Sequence, residues 1–230
     1  MTSPTLLLAS QSPRRKELLA RTGWDFTVYA ADVDEDLRAG EPPSDYVLRL
    51  AETKARALAA QAGSGQVIVA ADTTVVAGGD VLGKPADAAE AHRMLERLRG
   101  RVHQVYTAVA AFDPASGRLE TDLCVTDVLM RPYGDAEIAA YVASGDPLDK
   151  AGAYAIQNPA FHPVEAIRGC YDCVVGLPLD HLARLLRAFG LQPPQDLSVS
   201  CHDQFAPVDP NGRIIYNDPS TGSTRPFPAE

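Results

Sequence analysis

The sequence predicts an α/β fold built on a mixed sheet. Short apolar runs alternate with stretches of helical period over most of the chain, two strand candidates at 105–112 and 123–130 follow each other with only a turn between, and no internal repeat is present.

Leu6-Leu7-Leu8-Ala9 reads as a short buried strand, followed by the polar loop Ser10-Gln11-Ser12. Ser12 is a good N-cap and Pro13 suits the first helical position, so a helix is expected from there, stopped by Gly23. A second helix is expected over 44–62, opened by Ser44, with Val47, Leu50, Ala51, Lys54, Ala55 and Leu58 on one face. Val67 to Ala71 reads as a buried strand ending at Asp72, and Gly78-Gly79-Asp80 as a hairpin-like turn. Asp87 with Glu90 resembles a capping box for a helix to about Arg99, ended by Gly100. After the two adjacent strands, joined across 113–117, come a helix at 135–143, a short strand at Val174-Val175-Gly176 and an amphipathic helix over 177–189.

Beyond Gly190 the chain is rich in Pro, Asp, Ser, Gly and Asn and poor in apolar residues. The expected organisation is one domain over 1–190 and an irregular or disordered tail over 191–230 that takes no part in catalysis.

Apolar residues make up 46% of the 230-residue chain and charged residues 22%, ordinary for a globular protein. The formal net charge of -9 argues against a nucleic-acid polymer as partner, while leaving room for a small polyanion held by a local basic cluster. Cys170 and Cys173 form a C-x-x-C with no second pair at zinc-ribbon spacing, so free thiols are expected, with a redox role as the rival. Met1 to Leu8 lacks the basic start of a signal peptide, and no run approaches the roughly 20 apolar residues of a membrane span; a cytoplasmic protein without membrane association is expected.

The segment Ser10-Gln11-Ser12-Pro13-Arg14-Arg15 carries the strongest chemical signal. A helix N-terminus is an anion site, and two hydroxyls with two guanidiniums beside it suit a phosphate; the other reading is a capped surface helix with solvated arginines. Lys54 lies within an apolar stripe, where it either reaches a cleft or snorkels at the stripe's edge. Asp72, at the end of a buried strand, suits a general base or a Mg²⁺ ligand, or else caps the next turn. Taken alone, Lys84 is a surface lysine, and Asp32, Asp34, Glu35 and Asp36 are either a solvated cluster or a metal site next to phosphates. His103, just before a strand, reads as structural.

Together these residues resemble the Maf family of nucleotide pyrophosphatases, from about Leu6 to Leu186. The resemblance rests, in order, on Leu8-Ala9-Ser10-Gln11-Ser12-Pro13-Arg14-Arg15, on Tyr46-Val47-Leu48-Arg49-Leu50-Ala51 with Lys54, and on Ala71-Asp72-Thr73. Leu82-Gly83-Lys84-Pro85-Ala86, Asp149-Lys150-Ala151-Gly152-Ala153-Tyr154 with Ile156-Gln157, and Val174-Val175-Gly176-Leu177-Pro178-Leu179 complete it. The resemblance implies an elongated mixed sheet flanked by helices, two lobes with a central cleft, as in Maf and ITPase-like folds, and often a homodimer. It implies hydrolysis of a nucleoside triphosphate to the monophosphate and pyrophosphate with Mg²⁺ or Mn²⁺. Asp72 aligns with the base, Arg14, Lys54 and Lys84 with phosphate-binding cations, and Glu35 with an additional acidic residue that would share the metal with Asp72. Thr73 after Asp72, together with Gln157, resembles the branch acting on dTTP and UTP; the rivals are a 7-methyl-GTP pyrophosphatase and a non-catalytic nucleotide-binding regulator of cell division. The segment Asn158 to Pro163 departs from the family's Gly-rich stretch here, which opens the way to modified pyrimidines or CTP.

Overall fold

A computed structural model describes residues 5–194, 201–217 and 224–226. In chain order the elements are β1 (Leu6–Ala9), α1 (Pro13–Ala20), β2 (Phe26–Tyr29), α2 (Pro43–Ala57), β3 (Val67–Ala77), β4 (Asp80–Leu82), α3 (Ala88–Leu98), β5 (Val102–Asp113) and β6 (Arg118–Met130). They continue with α4 (Asp135–Ala143), β7 (Val164–Cys170), α5 (Tyr171–Val175), α6 (Leu179–Arg187), β8 (Cys201–Pro207), β9 (Ile215–Asn217) and β10 (Thr224–Pro226).

The sheet is mixed, as expected. Its strands run in the order β2-β1-β3-β5-β6-β7-β8, with β4 paired to β3, and β9 and β10 form a separate ribbon. β1 is parallel to β2 and β3, whereas β4 is antiparallel to β3, and β7 is antiparallel to β6 and β8.

The chain divides into two compact units. The first holds Met1–Thr73, Tyr106–Cys124 and Asp172–Val199. Its core sets the apolar face of α2 (Val47, Ala51, Ala55) against alternate residues of three strands: Leu7 and Ala9, Ile68 and Ala70, Ala108 and Ala110. Alternation on the strands and the 3.6 period on the helix put those residues on facing surfaces. The second unit holds Thr74–Val105, Val125–Tyr171 and Ser200–Glu230. There Gly78 and Gly79, at φ 61 and 90, close a two-residue hairpin that pairs Ala77 with Asp80, a backbone that glycine adopts without steric cost. Asp87 caps α3 by accepting from Glu90 N at 2.7 Å.

Four expectations need correcting. First, β3 does not stop at Asp72. Thr73 to Ala77 are mostly β-branched and extend the strand by five residues, leaving Asp72 in its middle. Second, 174–176 is no strand, because Val174 and Val175 finish the short helix α5, whose Asp172 carbonyl accepts from Gly176 N and Leu177 N at 2.9 Å. Third, Ser44 is not the cap of α2, which begins one residue earlier on Pro43. Fourth, residues 201–217 are not an irregular tail. β8 adds to the free edge of β7, and Val208 and Ile214 are buried. The tail's remaining stretches, 195–200, 218–223 and 227–230, lie outside the described residues.

Candidate active site

The first unit gathers Ser10, Ser12, Arg14, Arg15, Glu35, Lys54, Asp72 and Thr73; Lys84 and Gln157 belong to the second. β1 delivers the polar loop at its carboxyl end. Ser12 caps α1, its Oγ accepting from Arg15 N at 3.5 Å, and the buried Ser10 Oγ accepts from Ser12 N at 3.2 Å. Because both hydroxyls accept from the backbone, each keeps its own proton to donate. Arg14 is half-buried at the helix start.

Arg15 turns inward. Its Nε donates to Gly176 O at 2.8 Å, and a terminal nitrogen donates to Thr73 Oγ1 at 3.1 Å. Thr73 Oγ1 also lies 3.0 Å from Thr107 Oγ1, and Thr107 gives its single proton to Cys173 O at 2.7 Å. Thr73 is therefore the donor to Thr107 and the acceptor from Arg15. Its hydroxyl holds the guanidinium in place. Gly176, at φ +116, permits the approach, since a Cβ there would stand 3.3 Å from Thr73 Oγ1 and 3.5 Å from Arg15 Nε. Burial lowers the Arg15 pKa, opposed by the charge of Asp72.

Lys54 and Asp72 form the centre of this group. Lys54 is 7% exposed and Asp72 6% exposed, and Lys54 Nζ donates to Asp72 Oδ1 at 2.6 Å. The same ammonium pairs with Glu35 Oε1 at 2.6 Å. Lys54 is thus buried and paired rather than snorkelling at the edge of its stripe. Burial raises the Asp72 pKa above the ordinary carboxylate value; Lys54 and Arg15 oppose this, and Glu35 adds to it.

The loop carrying Glu35 is tied down by two α2 residues to which the sequence reading gave no role. Tyr46 Oη donates to Glu35 O at 2.9 Å, and Arg49 donates to Asp36 O at 3.0 Å and to both carboxylate oxygens of Glu41 at 2.6 and 2.7 Å. Burial and then the nearby charges of Asp72 and Glu35 push the Tyr46 hydroxyl up to about 12. Their spacing on the α2 turn, three residues apart and facing an acidic loop, was the available signal.

In the second unit, Lys84 is exposed in the loop after β4, and Gly83 O accepts from Gly152 N at 3.1 Å. Gln157 is half-buried, next to the Asn158–Pro163 segment. Lys150, a second buried lysine, is held by Asp149 Oδ1 at 2.6 Å and by Asp146 Oδ1 at 3.0 Å. His103 is buried against Tyr154, its Nε2 2.8 Å from the Tyr154 hydroxyl. Cys124, Cys170 and Cys173 are buried.

Residues 5–189 match the family model described as Maf-like protein, a span that includes every candidate residue above. The chain belongs to the Maf family. Maf relatives include a dTTP/UTP pyrophosphatase of Anaeromyxobacter dehalogenans, 53% identical over 194 residues, covering 84% of this chain and 97% of the relative. Another, of Geobacter metallireducens, carries the same name and is 49% identical over 80% of this chain and 96% of its own. A third dTTP/UTP pyrophosphatase, of Hahella chejuensis, is 47% identical over 81% and 93%. Among solved structures, the Staphylococcus aureus Ham1 protein aligns over 56% of this chain and 74% of its own, at 16% identity and a TM-score of 0.40. Unlike the Maf relatives, it is too distant to carry an argument.

Proposed function

We propose that this chain is a nucleoside triphosphate pyrophosphatase that hydrolyses dTTP and UTP to the monophosphate and pyrophosphate. The observation that carries the reading is the buried carboxylate of Asp72, paired with Lys54 and adjoined by the guanidinium of Arg15. A pure binding site needs cations for the phosphates; a buried carboxylate among them adds charge repulsion and is explained by chemistry on water. The names of the Maf relatives support the substrate class.

In this scheme water attacks the α-phosphorus. Asp72 takes the water's proton, a new P–O bond forms, the α–β bridging bond breaks, and pyrophosphate leaves with its electron pair. Lys54 keeps Asp72 ionised and oriented. Arg14, Arg15 and Lys84 offset the charge of the triphosphate, and Ser10 and Ser12 with the α1 N-terminus supply neutral donors. Thr73 acts through Arg15 as a positioning residue.

The donor set suits a hard divalent cation. Glu35 and Asp72 both approach one ammonium, so two carboxylates face the same point. Among the described residues no group of three or more His, Cys, Asp or Glu could hold a metal ion, so the proposed Mg²⁺ or Mn²⁺ would have to take its other ligands from phosphate and water. When bound, it would supply charge neutralisation on the phosphates.

Gln157 is proposed to read the base, because its carboxamide offers both a donor and an acceptor to the O4 and N3–H edge of uracil or thymine. Among the described residues no helix is long and apolar enough to cross a membrane. A cytoplasmic homodimer is proposed on the family resemblance.

The test measures pyrophosphate release and kcat/KM for dTTP, UTP, CTP and 7-methyl-GTP with Mg²⁺ or Mn²⁺, repeated on Gln157→Glu. Preference of the wild type for dTTP and UTP supports the reading, and preference for 7-methyl-GTP overturns the base assignment. Tight binding without turnover at any metal favours the regulator.

A further inference from the structure

The residues beyond the Maf match return to the second unit at the segment next to Gln157. That segment is stiff. Asn158 Oδ1 accepts from Ala160 N at 3.1 Å and from Phe161 N at 2.9 Å, and its carbonyl accepts from His162 N at 2.8 Å. The Phe161 ring stacks on Tyr141, centroids 4.3 Å apart, and Arg131 donates to Phe161 O at 2.8 Å and to His162 O at 2.5 Å. Hydrogen-bonded turns thus hold the segment that departs from the family's Gly-rich stretch.

Residues 208–214 close on it. Val208 and Ile214 bridge, and Asp209 Oδ1 accepts from Asn211 N at 2.9 Å and Arg213 N at 2.8 Å, making a compact loop. Gly212 sits at φ +74, and a Cβ on it would stand 2.7 Å from Ile156 O and 2.9 Å from Gln157 Cα. Only a glycine allows this approach without displacement. At the other end of the segment His162 Nε2 donates to Val208 O at 3.1 Å. One loop therefore fixes the main chain on both sides of the segment that begins with Gln157.

We infer that the 208–214 loop is a specificity-determining element: it sets the main chain of Gln157, and so the position of the carboxamide that meets the pyrimidine edge. The inference rests on the proposed role of Gln157. No residue of the loop belongs to the group around Asp72, so loop substitutions act on base recognition rather than on the attack of water.

Full-length Gly212→Ala and His162→Asn test it. The first forces the loop away from Gln157. The second keeps a residue tolerant of the positive φ at 162 while removing the reach to Val208 O. With each, KM for dTTP and UTP is expected to rise about tenfold, the equivalent of about 1.4 kcal/mol of lost binding. The margin over CTP should narrow, with kcat within about twofold and both variants still folded by circular dichroism. Unchanged KM in both folded variants overturns the inference, as does a fall in kcat with KM unchanged. Gln157→Glu separates the two ideas: a shifted base preference there, with wild-type KM in both loop variants, overturns the loop's role alone, whereas no shift overturns the reading of Gln157.

Discussion

Lys54 donates to Asp72 Oδ1 across 2.6 Å, with 9% of each side chain exposed. A buried pair of this kind is costly to break, because the surviving charge keeps its burial and loses its partner. Lys54→Met is expected to destabilise the protein by about 3 kcal/mol in urea denaturation and to raise the Asp72 pKa further. Asp72→Asn in the same background should recover part of that loss.

Asp72→Asn alone is expected to lower kcat by about 10²-fold or more while triphosphate binding persists. Calorimetric binding at unchanged affinity with lost turnover meets the expectation; equal loss of both does not.

The pH dependence of kcat/KM follows from the same carboxylate. Burial raises the Asp72 pKa, and the base works only when ionised. Activity should therefore fall as pH drops through a value above the ordinary carboxylate range, and Lys54→Met should move this acid limb upward. A limb at or below the ordinary value in the wild type would show that a different group titrates.

Thr73→Val keeps the shape of the side chain and removes both hydroxyl contacts. Arg15 loses an acceptor, and a hydrogen bond to a charged group contributes about 1.5–3 kcal/mol. KM for the triphosphate should rise about tenfold or more, and the melting temperature should fall by several degrees. Thr73→Ser should restore the wild-type value.

His103 bears on acid stability. Burial lowers its pKa to about 3 from an ordinary 6.5, so the folded state keeps the ring neutral. Above 6.5 both states are neutral and nothing is gained. Between 6.5 and about 3 the unfolded state takes up the proton, and stability should fall by about 1.4 kcal/mol per pH unit from this group. His103→Gln should flatten that slope in chemical denaturation between pH 6.5 and 5.

The two ends of the sheet explain what the sequence hid. β2 and β8 are its terminal strands. Three of the four residues of β2 are exposed, as are Asp203, Gln204, Phe205 and Pro207 of β8. An edge strand need not show apolar alternation, and a proline is tolerated there, so composition alone suggested an irregular tail. β7 offers only a broken alternation, because Ala166 and Ile167 are both buried and the ladder is irregular between Ile167 and Gly169, so its strand signal is weak. α5 was misread because a short apolar run is ambiguous between strand and buried helix. Lys54 stood out, because a charge in an apolar stripe demands a partner. The bond from Arg15 to Gly176 was not legible, since the two are 161 positions apart and nothing local marks it.

The three buried thiols give this protein an internal clock of its own opening. Cys173 Sγ donates to Cys124 O at 3.3 Å within the first unit, and Cys170 N receives Thr126 Oγ1 as its acceptor at 2.9 Å within the second. None of the three is accessible to a bulky thiol reagent in the native state. Modification must therefore wait for local unfolding, and its rate at each cysteine reports how often that neighbourhood comes apart. With Cys201 replaced by Ser, peptide mapping of the labelled chain would time Cys170 separately from Cys124 and Cys173, giving the opening frequencies of the two units in one tube, with and without nucleotide.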